Sequence, residues 1–446
     1  MRDEARTELA GRVVWNINST ARGGGVVELL QPLVAYARGA GVDARWLVID
    51  GNPEFFTVTK RIHNRLHGAL GDGGPLDDAA RAIYEQTLAQ NAEAIVPRVH
   101  DGDVVIVHDP QPAGLIAALR DAGATVIWRC HVGIDDPNEL ARDAWAFLLP
   151  YVAPADAYVF SRECFAWDGL DRDRITIIAP TIDAFAAKNV DLDTATVESI
   201  LHASGILAGE PAGPVVFTYP DGTPGRIERR ADLIEDEPLR GDVPVVLQVS
   251  RWDALKDPIG VIVGFAEHVP AATGAHLVYA APSAASVADD PEGLRMFGEA
   301  TAARAALPAD ARARIHLASL PMDDVKENAI MVNALQRHAS VIVQKSLAEG
   351  FGLTVAEGMW KGRPVVASRI GGIQDQIVHG ETGLLLDDPR DLAAYGAAVA
   401  GLLNDPARAE EMGRNARLRV LDRFLSVRSL IDYFELVRRL LTPARV

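Results

Sequence analysis

The sequence predicts an α/β protein with two Rossmann-like, doubly wound domains that face each other across a cleft. Short runs rich in β-branched residues alternate with longer stretches of helical spacing, as in βαβ units. The alternation occurs twice, on either side of a segment rich in proline and glycine at residues 208–244. A chain of 446 residues with 48% hydrophobic content is long enough for two cores.

The first series supplies six strand candidates with helical stretches between most of them. The strands are Val13–Ile17, Ala44–Ile49, Val104–Val107, Thr125–Trp128, Ala157–Phe160 and Ile175–Ile178, and the clearest helices are Val26–Ala37 and Ala79–Ile95. This order predicts a parallel sheet covered by helices.

The second series repeats the pattern after the interruption. Its strands are Val245–Val249, Leu277–Tyr279, Ile315–Leu317, Val341–Val343, Pro364–Ala367 and Gly383–Leu386, and its helices include Met322–Gln336, Leu353–Lys361 and Leu392–Leu403. Helical spacing then runs from Ala407 to Leu441. We expect an N-terminal domain at 1–207, a linker with an insertion at 208–244, a second domain at 245–425 and a C-terminal helix at 426–446 that packs back on the first domain.

Composition excludes several classes of protein. The net charge of −17 argues against a nucleic-acid partner, because such proteins usually present a basic face. No apolar run approaches the ~20 residues of a membrane span. The N-terminus lacks the apolar region of a signal peptide. Cys130 and Cys164 match no zinc or disulfide pattern and are expected to be buried thiols, which fits a reducing cytoplasm.

The segment from Ser346 to Ala367 carries the most specific pattern. It places Glu349 in the loop after a strand and Glu357 eight positions later, on the early turns of the next helix. The glycines of the loop, Gly350 and Gly352, allow a ligand to approach backbone amides, and a helix start binds anions. Carboxylates beside such an anion site suit the hydroxyls of ribose and hexose. The alternative is a solvated loop and helix face.

Two cations follow the first strand of the second series. Arg251 and Lys256 lie in the loop at its carboxyl end, where ligands of such sheets bind. Positive charge there suits a diphosphate leaving group, on which negative charge develops as the glycosidic bond breaks. The alternative is a solvated basic loop.

A glycine-rich turn joins the first strand to the first helix. Gly23, Gly24 and Gly25 follow Asn18 in this turn and can expose amides to an anion or a sugar. The turn matches neither the dinucleotide fingerprint nor the P-loop, so alone it is weak evidence.

Polar residues also end two other strands of the first series. They are His108, Asp109, Gln111, Arg129 and His131. Such groups can hold the hydroxyls of an acceptor sugar, although a lone histidine is usually structural. Asp101 and Asp103 have the Asp-x-Asp spacing of metal-dependent transferases, but they precede a strand, where a turn is the ordinary interpretation.

These motifs together resemble a known family. Glu349 and Glu357 at their spacing, with Arg251 and Lys256, are similar to the GT-B glycosyltransferases of family four. The sequences around Val14–Gly25, Glu54–Asn64, His108–Pro112, Arg129–His131 and Asp289–Gly293 resemble the trehalose glycosyltransferring synthases. The likeness covers nearly the whole chain. It departs at Asp183–Ala184, at Ala280–Ala281 and in the longer insertion at 208–240.

The resemblance implies a retaining hexosyltransferase that makes trehalose reversibly from ADP- or UDP-glucose and glucose. It implies that Arg251 and Lys256 bind the diphosphate, that Glu357 binds the ribose and that His131 lies against the donor sugar. The remaining implied roles fall into two groups. Donor contacts come from Glu349, Gly350, Phe351, Gly352, Leu353 and Gly23–Gly25, and acceptor contacts from Asn18, Asp109, Gln111 and Arg129.

Three further expectations follow from the resemblance. No metal or cofactor is required, because the cations and amides supply the positive potential. The partners are the nucleotide sugar and glucose or trehalose, with a homodimer as one assembly. Three other functions stay open, namely a retaining trehalose phosphorylase on the same scaffold, a related family-four glycosyltransferase with another acceptor, and a non-catalytic sugar or nucleotide sensor.

Overall fold

A computed structural model describes residues 2–21, 25–211, 213, 215–219, 221–283 and 291–442. The chain forms two compact units, one of Met1–Thr181 with Phe424–Val446 and the other of Ile182–Arg423. The boundary lies earlier than the expected residue 207, because the helix at Thr194–Ala203 packs against the second unit's helix at Val325–His338.

The first unit contains a six-stranded parallel sheet in the order β2-β1-β3-β4-β5-β6. Its elements up to residue 181 are α1 (Arg2–Glu8), β1 (Val13–Asn18), α2 (Gly25–Gly39), β2 (Asp43–Val48), α3 (Pro53–Leu66), α4 (Asp78–Ile95), β3 (Val104–His108), α5 (Ile116–Asp121), β4 (Thr125–Cys130), α6 (Glu139–Val152), β5 (Ala157–Phe160) and β6 (Ile175–Ile177). The six predicted strands are therefore present.

The second unit is built on a seven-stranded sheet in the order β15-β14-β13-β10-β11-β12-β9, parallel except for β9. Its helices are α7 (Thr194–Ala203), α8 (Pro258–His268), α9 (Pro291–Ala305), α10 (Ala309–Arg312), α11 (Val325–His338), α12 (Leu353–Trp360), α13 (Ile373–Gln376), α14 (Leu392–Asn404) and α15 (Pro406–Arg423). Its strands are β7 (Val216–Thr218), β8 (Pro224–Arg226), β9 (Asp232–Ile234), β10 (Val245–Val249), β11 (His276–Pro282), β12 (Ile315–Leu320), β13 (Val341–Gln344), β14 (Val365–Ser368) and β15 (Leu384–Leu386).

The interruption at 208–244 forms part of the second unit. It contains the antiparallel hairpin β7–β8 and the edge strand β9. The buried carboxylate of Glu327, on α11, accepts hydrogen bonds from the amides of Glu228 and Arg229 over 2.6 and 2.8 Å. One buried acceptor thus attaches the insertion to the sheet's helix layer.

The C-terminal helical pattern divides into α15 and a final helix, α16 (Ser426–Leu441). Helix α16 belongs to the first unit and packs against α2. The amphipathic spacing of α16 explains this placement, because Tyr433, Leu436 and Val437 are buried together with Leu9, the residue that follows α1.

The core of the first unit covers both faces of its sheet. Alternate residues of β3 point to opposite sides, so Val105 and Val107 join Phe55 of α3 in one cluster. Val104 and Ile106 join the cluster below α1 and α16. A strand buried on both faces reads as a continuous apolar run, which is why these strands were predictable.

Two features differ from expectation. Cys130 is buried, but Cys164 is exposed, because the turn at Glu163–Phe165 directs Phe165 into the core instead. Helix α11 begins at Val325 and not at Met322, because Asp324 caps the amides of Lys326 and Glu327. No described helix is long and apolar enough to cross a membrane.

Candidate functional site

The second sheet brings two of the predicted loops side by side. Strands β10 and β13 are neighbours, so the loops that follow their carboxyl ends lie at the same edge. The amide of Leu347 donates to the carbonyl of Leu255 over 2.7 Å and joins the loops directly. Buried Gln248 strengthens the junction, since its side chain donates to the carbonyl of Lys256 and accepts from the amide of Lys345.

Lys256 and Glu349 meet at this junction. The Nζ atom of Lys256 lies 2.6 Å from Oε2 of Glu349, and the two side chains are 16% and 15% exposed. The next residue, Asp257, has a left-handed backbone with φ of 49° and caps α8. Its carboxylate also binds the buried ammonium of Lys345. The loop geometry therefore holds Lys256 in a partly open position where an anion can reach it.

Arg251 lies in the same loop but points further into solvent. Its guanidinium donates to Asp253 over 3.0 Å, and its side chain is 67% exposed. Asp253 in turn caps the short turn at Ala254–Lys256 by accepting from the amide of Leu255. Both predicted cations thus follow β10, with Lys256 more enclosed than Arg251.

The loop between β13 and α12 is fixed by a pair of glycines not singled out from the sequence. The amide of Gly372 donates to the carbonyl of Gly350 over 2.8 Å. Gly371 has φ of 45°, and a Cβ added there would lie 1.7 Å from the carbonyl oxygen of Glu349. The backbone that carries Glu349 therefore packs directly on Gly371.

The start of α12 offers backbone N–H groups that can bind an anion. Gly352 precedes the helix with φ of 81°, and no described side chain caps this end. The amides of Leu353 and Thr354 stand in the first turn, where intrahelical acceptors are missing. Gln376 supports the loop by donating to the carbonyl of buried Phe351 over 2.5 Å. Ligand oxygens can therefore accept hydrogen bonds from this helix end.

Replacing Gly371 with alanine is expected to lower Tm and to impair any activity that depends on Glu349. The added Cβ would collide with backbone and not with a flexible side chain. Gly274→Ala is the matched control, because Gly274 has φ of 65° and nothing within 4 Å of an added Cβ. The control should lose only the conformational term of about 1–2 kcal/mol. Equal losses of Tm in the two variants would contradict the contact with Glu349.

Glu357 is more enclosed than a solvated helix-face residue. It is 2% exposed, accepts from the side-chain amide of Gln336 over 3.3 Å and lies 3.5 Å from Nζ of Lys188. Lys188 and Gln336 were missed by sequence reasoning, because they lie 169 and 21 positions away along the chain. The only local signal was a carboxylate in an otherwise apolar helix.

The first unit assembles a chain of hydrogen bonds at the ends of β3 and β4. Arg129 donates through Nε to His131 over 3.4 Å, and the two imidazoles of His131 and His108 are 3.1 Å apart, nitrogen to nitrogen. His108 continues the chain to the side-chain oxygen of buried Asn16 over 3.1 Å. Each ring nitrogen of the two histidines thus has a hydrogen-bond partner. A sugar hydroxyl that binds a ring nitrogen of His131 must therefore replace one of these partners. Asn16 was not predicted.

The same strand ends hold Asp109 in a strained backbone, with φ of 64°. Its carboxylate accepts from the amide of His131 over 2.7 Å, and its own amide donates to the carbonyl of Arg129. The guanidinium of Arg129 also donates to the carbonyl of Ile178 and to Ser161. Arg129 therefore uses all three guanidinium nitrogens in hydrogen bonds within the protein, whereas half-buried Asp109 keeps one carboxylate oxygen for a further donor.

Burial sets the charges in this cluster. It lowers the pKa of His108 to about 3, with a smaller contribution from the Arg129 guanidinium. The pKa of His131 is likewise held well below its usual value by burial and by Arg129. Burial raises the pKa of Asp109 to about 6, against the amide of His131 and the charge of Arg129. At neutral pH both imidazoles are uncharged, and uncharged imidazole suits hydroxyl recognition better than anion binding.

The other predicted residues of the first unit that the structure describes lie outside the chain of hydrogen bonds that runs from Arg129 to Asn16. Asn18 is buried, accepts from the Trp46 indole over 2.7 Å and donates to the carbonyl of Thr20, so its side chain is occupied within the protein. Gln111 is half-buried in the turn after β3. Gly25 begins α2, whereas Gly23 and Gly24 lie outside the described residues.

The cavity beside this cluster is small. It measures about 20 Å³ and is lined by His108, Arg129 and His131 together with Tyr433 of α16. That is room for about one water molecule. A hexose does not fit within this cavity of the first unit.

The Asp-x-Asp spacing has a structural explanation. The carboxylate of Asp103 accepts from the amides of Val13 and His100 and from the indole of Trp15, which ties β1 to the turn before β3. Among the described residues no group of three or more histidine, cysteine, aspartate or glutamate side chains is arranged to hold a metal ion. The aspartate pair thus belongs to a turn.

The chain is similar to known glycosyltransferases over nearly its whole length. Residues 16–167 match the family model of the trehalose synthase N-terminal domain, and residues 326–419 match that of glycosyl transferases group 1. The chain is 37% identical to a trehalose synthase of Rubrobacter xylanophilus, over 97% of this chain and 93% of the relative. It is 34% identical to a trehalose synthase of Pyrococcus horikoshii, over 98% and 92%. A trehalose phosphorylase of Pleurotus pulmonarius is 26% identical, over 91% of this chain and 54% of the relative.

Solved structures show the same architecture. A sucrose-phosphate synthase of Thermosynechococcus elongatus is similar with a TM-score of 0.65 and 18% identity, over 96% of this chain and 99% of that one. A structure from E. coli described as trehalose-6-phosphate bound with UDP-2-fluoro glucose reaches a TM-score of 0.70 at 13% identity, over 96% and 99%. The family models, the close relatives and the shared fold together show that the chain belongs to the trehalose synthase family of GT-B glycosyltransferases.

Proposed function

We propose that the chain is a retaining glucosyltransferase that makes α,α-trehalose from a nucleoside-diphosphate glucose, ADP- or UDP-glucose, and free glucose, and that it runs in both directions. The observation that carries the proposal is the Lys256–Glu349 pair of 2.6 Å beside the open start of α12, with Glu357 on the same helix. A cation, free amides and two carboxylates are the groups that a diphosphate, a ribose and a hexose require together.

The donor occupies this part of the second unit. Lys256 and Arg251 bind the diphosphate, and the amides at Gly350–Leu353 receive oxygens of the phosphate and the sugar. Glu349 accepts from a hydroxyl of the donor glucose, and Glu357 from the ribose.

The acceptor glucose is bound by first-unit residues. Asp109 accepts a hydroxyl hydrogen bond through its remaining oxygen, and Gln111 lies in the adjoining turn. Asn18 and Arg129 contribute to acceptor binding by holding neighbouring residues in place, because their own side chains form hydrogen bonds within the protein. His131 lies against the donor sugar, held by the hydrogen bonds from Arg129 to Asn16.

The proposed reaction retains configuration without a covalent enzyme intermediate. The acceptor hydroxyl attacks the anomeric carbon on the face from which the diphosphate departs, and a leaving oxygen of the diphosphate takes the hydroxyl proton. The protein contributes positioning and stabilisation of the developing negative charge by Lys256 and Arg251. We propose that no metal ion or organic cofactor takes part, since those cations and the helix amides supply the positive potential.

The second candidate is a retaining trehalose phosphorylase, favoured by the similarity to the Pleurotus phosphorylase. The same cations would then hold inorganic phosphate. Glu357 favours the nucleotide-dependent reaction, because a single phosphate offers no ribose for a second carboxylate. A cytoplasmic location and a homodimer stay predictions.

The direct test is a panel of nucleoside-diphosphate glucoses supplied with glucose, with the product identified by NMR. We expect at least one of ADP-glucose and UDP-glucose to yield α,α-trehalose, in buffer that contains excess chelator as well as in buffer without it. A catalytically inactive chain, or activity that chelator abolishes and metal restores, would contradict the proposal.

A further inference from the structure

A short segment at the start of the second unit is bound along helices α11 and α12. The side-chain amide of Asn333 on α11 donates to the carbonyl of Val190 over 2.8 Å, and the indole of Trp360 on α12 donates to the carbonyl of Asn189 over 3.0 Å. Both contacts hold residues 183–191 within the second unit. Lys188 is therefore carried on an ordered support.

This support places Lys188 over Glu357. The ammonium lies 3.5 Å from Oε1 of Glu357, and the Lys188 side chain is 24% exposed. The other polar neighbours of the carboxylate, Gln336 and Lys361, are buried. Among these polar neighbours of Glu357, Lys188 is therefore the one that reaches solvent.

Lys361 is occupied elsewhere. Its Nζ atom donates to the side-chain oxygen of Asn189 over 2.8 Å. Burial lowers the pKa of Lys361 to about 7, although the charge of Glu357 opposes the shift. Lys361 therefore carries only a partial charge near neutral pH, and Lys188 is the solvent-accessible cation beside the carboxylate.

The spacing of Lys188 and Glu357 lets one hydroxyl contact both groups from the side. A charge-assisted N–H···O bond is typically about 2.7–2.9 Å long, shorter than the 3.5 Å between these atoms. An ammonium only donates and a carboxylate only accepts, whereas a hydroxyl does both. A hydroxyl can therefore donate to Glu357 and accept from Lys188 at once.

We propose that Lys188 and Glu357 together bind one ribose hydroxyl of the nucleoside-diphosphate donor, so that Lys188 determines the specificity for ribose over deoxyribose. The inference rests on the proposed function. It adds Lys188, from the start of the second unit, to the proposed donor site, and it predicts that the Lys188 side chain and one ribose hydroxyl contribute to binding together.

The test is calorimetric binding of ADP and UDP, their 2′-deoxy and 3′-deoxy analogues and inorganic pyrophosphate to the full chain. The wild-type protein is expected to bind the ribonucleotide more tightly than one of the deoxy analogues. Lys188→Met should weaken the binding of the ribonucleotide by about 10- to 100-fold, which is the range for the loss of one hydrogen bond to a charged group. The same variant should change the affinity for that deoxy analogue and for pyrophosphate by much less.

Two further variants serve as controls. Lys326→Met removes a lysine that pairs with Asp221 on the surface of the same unit, and it should leave all affinities unchanged. Lys188→Arg keeps the charge and should retain most of the discrimination. Thermal melting verifies that each variant is folded.

The outcomes separate this inference from the proposed function. If Lys188→Met weakened every probe equally, or none, while the wild-type protein bound nucleoside diphosphates, Lys188 would have no role in ribose recognition. If the folded wild-type protein bound neither nucleoside diphosphate, the proposed function itself would fail.

Discussion

Lys256→Met is expected to lower kcat by about 10²–10³, the usual cost of losing one preorganised group that stabilises developing charge. The ammonium of Lys256 is enclosed beside Glu349 at 2.6 Å and follows the carboxyl end of β10. Methionine preserves the length of the side chain, so the loop should keep its shape. Removal of the charge should therefore act on the departing diphosphate.

The measurement is steady-state kinetics with saturating donor and acceptor. Arg251→Met is the companion variant, and a strong loss is expected there also, because its guanidinium follows the same strand. Lys326→Met again controls for the loss of one positive charge. Near-normal turnover in both the Lys256 and the Arg251 variants would show that the diphosphate binds elsewhere.

Glu349→Gln is expected to lower turnover at saturating donor by about 10²-fold, as for the loss of one preorganised contact near the reacting carbon. The change removes the negative charge that pairs with the Lys256 ammonium and leaves an uncharged amide in its place. It also weakens the hydrogen bond that we assign to the donor glucose. Both consequences act close to the anomeric carbon.

Glu357→Gln is the matched control, because it makes the same chemical change on the same segment. The ribose is remote from the reacting carbon, so this variant should raise KM for the donor more than it lowers kcat. Measuring kcat and KM for both variants decides the assignment. Reversed phenotypes would mean that the two carboxylates exchange roles.

The fold was largely predictable because its strands are buried on both faces. Val104–His108 and Val341–Gln344 read as uninterrupted β-branched runs, and such runs in alternation with amphipathic helices permit few other architectures. The unit boundary was less predictable. Residues 182–207 have no composition that separates them from the first domain, and tertiary contacts such as the packing of α7 on α11 assign them to the second.

The site was predictable where it depends on strand ends. Arg251, Lys256 and Glu349 each follow a strand of the predicted parallel sheet, and ligands of such sheets bind at the carboxyl ends of the strands. The contacts of Lys188, Gly371 and Asn16 depend on tertiary packing between distant segments. A sequence pattern indicates that such residues are polar or small, but it carries no information about their partners.

Incubation of trehalose with inorganic phosphate and, separately, with ADP or UDP tests the central claim most directly. We expect a nucleoside-diphosphate glucose and glucose to form when nucleoside diphosphate is added, because we assign Glu357 to the binding of a ribose. No glucose 1-phosphate should form with inorganic phosphate alone. Release of glucose 1-phosphate with no response to either nucleoside diphosphate would contradict the account and establish the phosphorylase in its place.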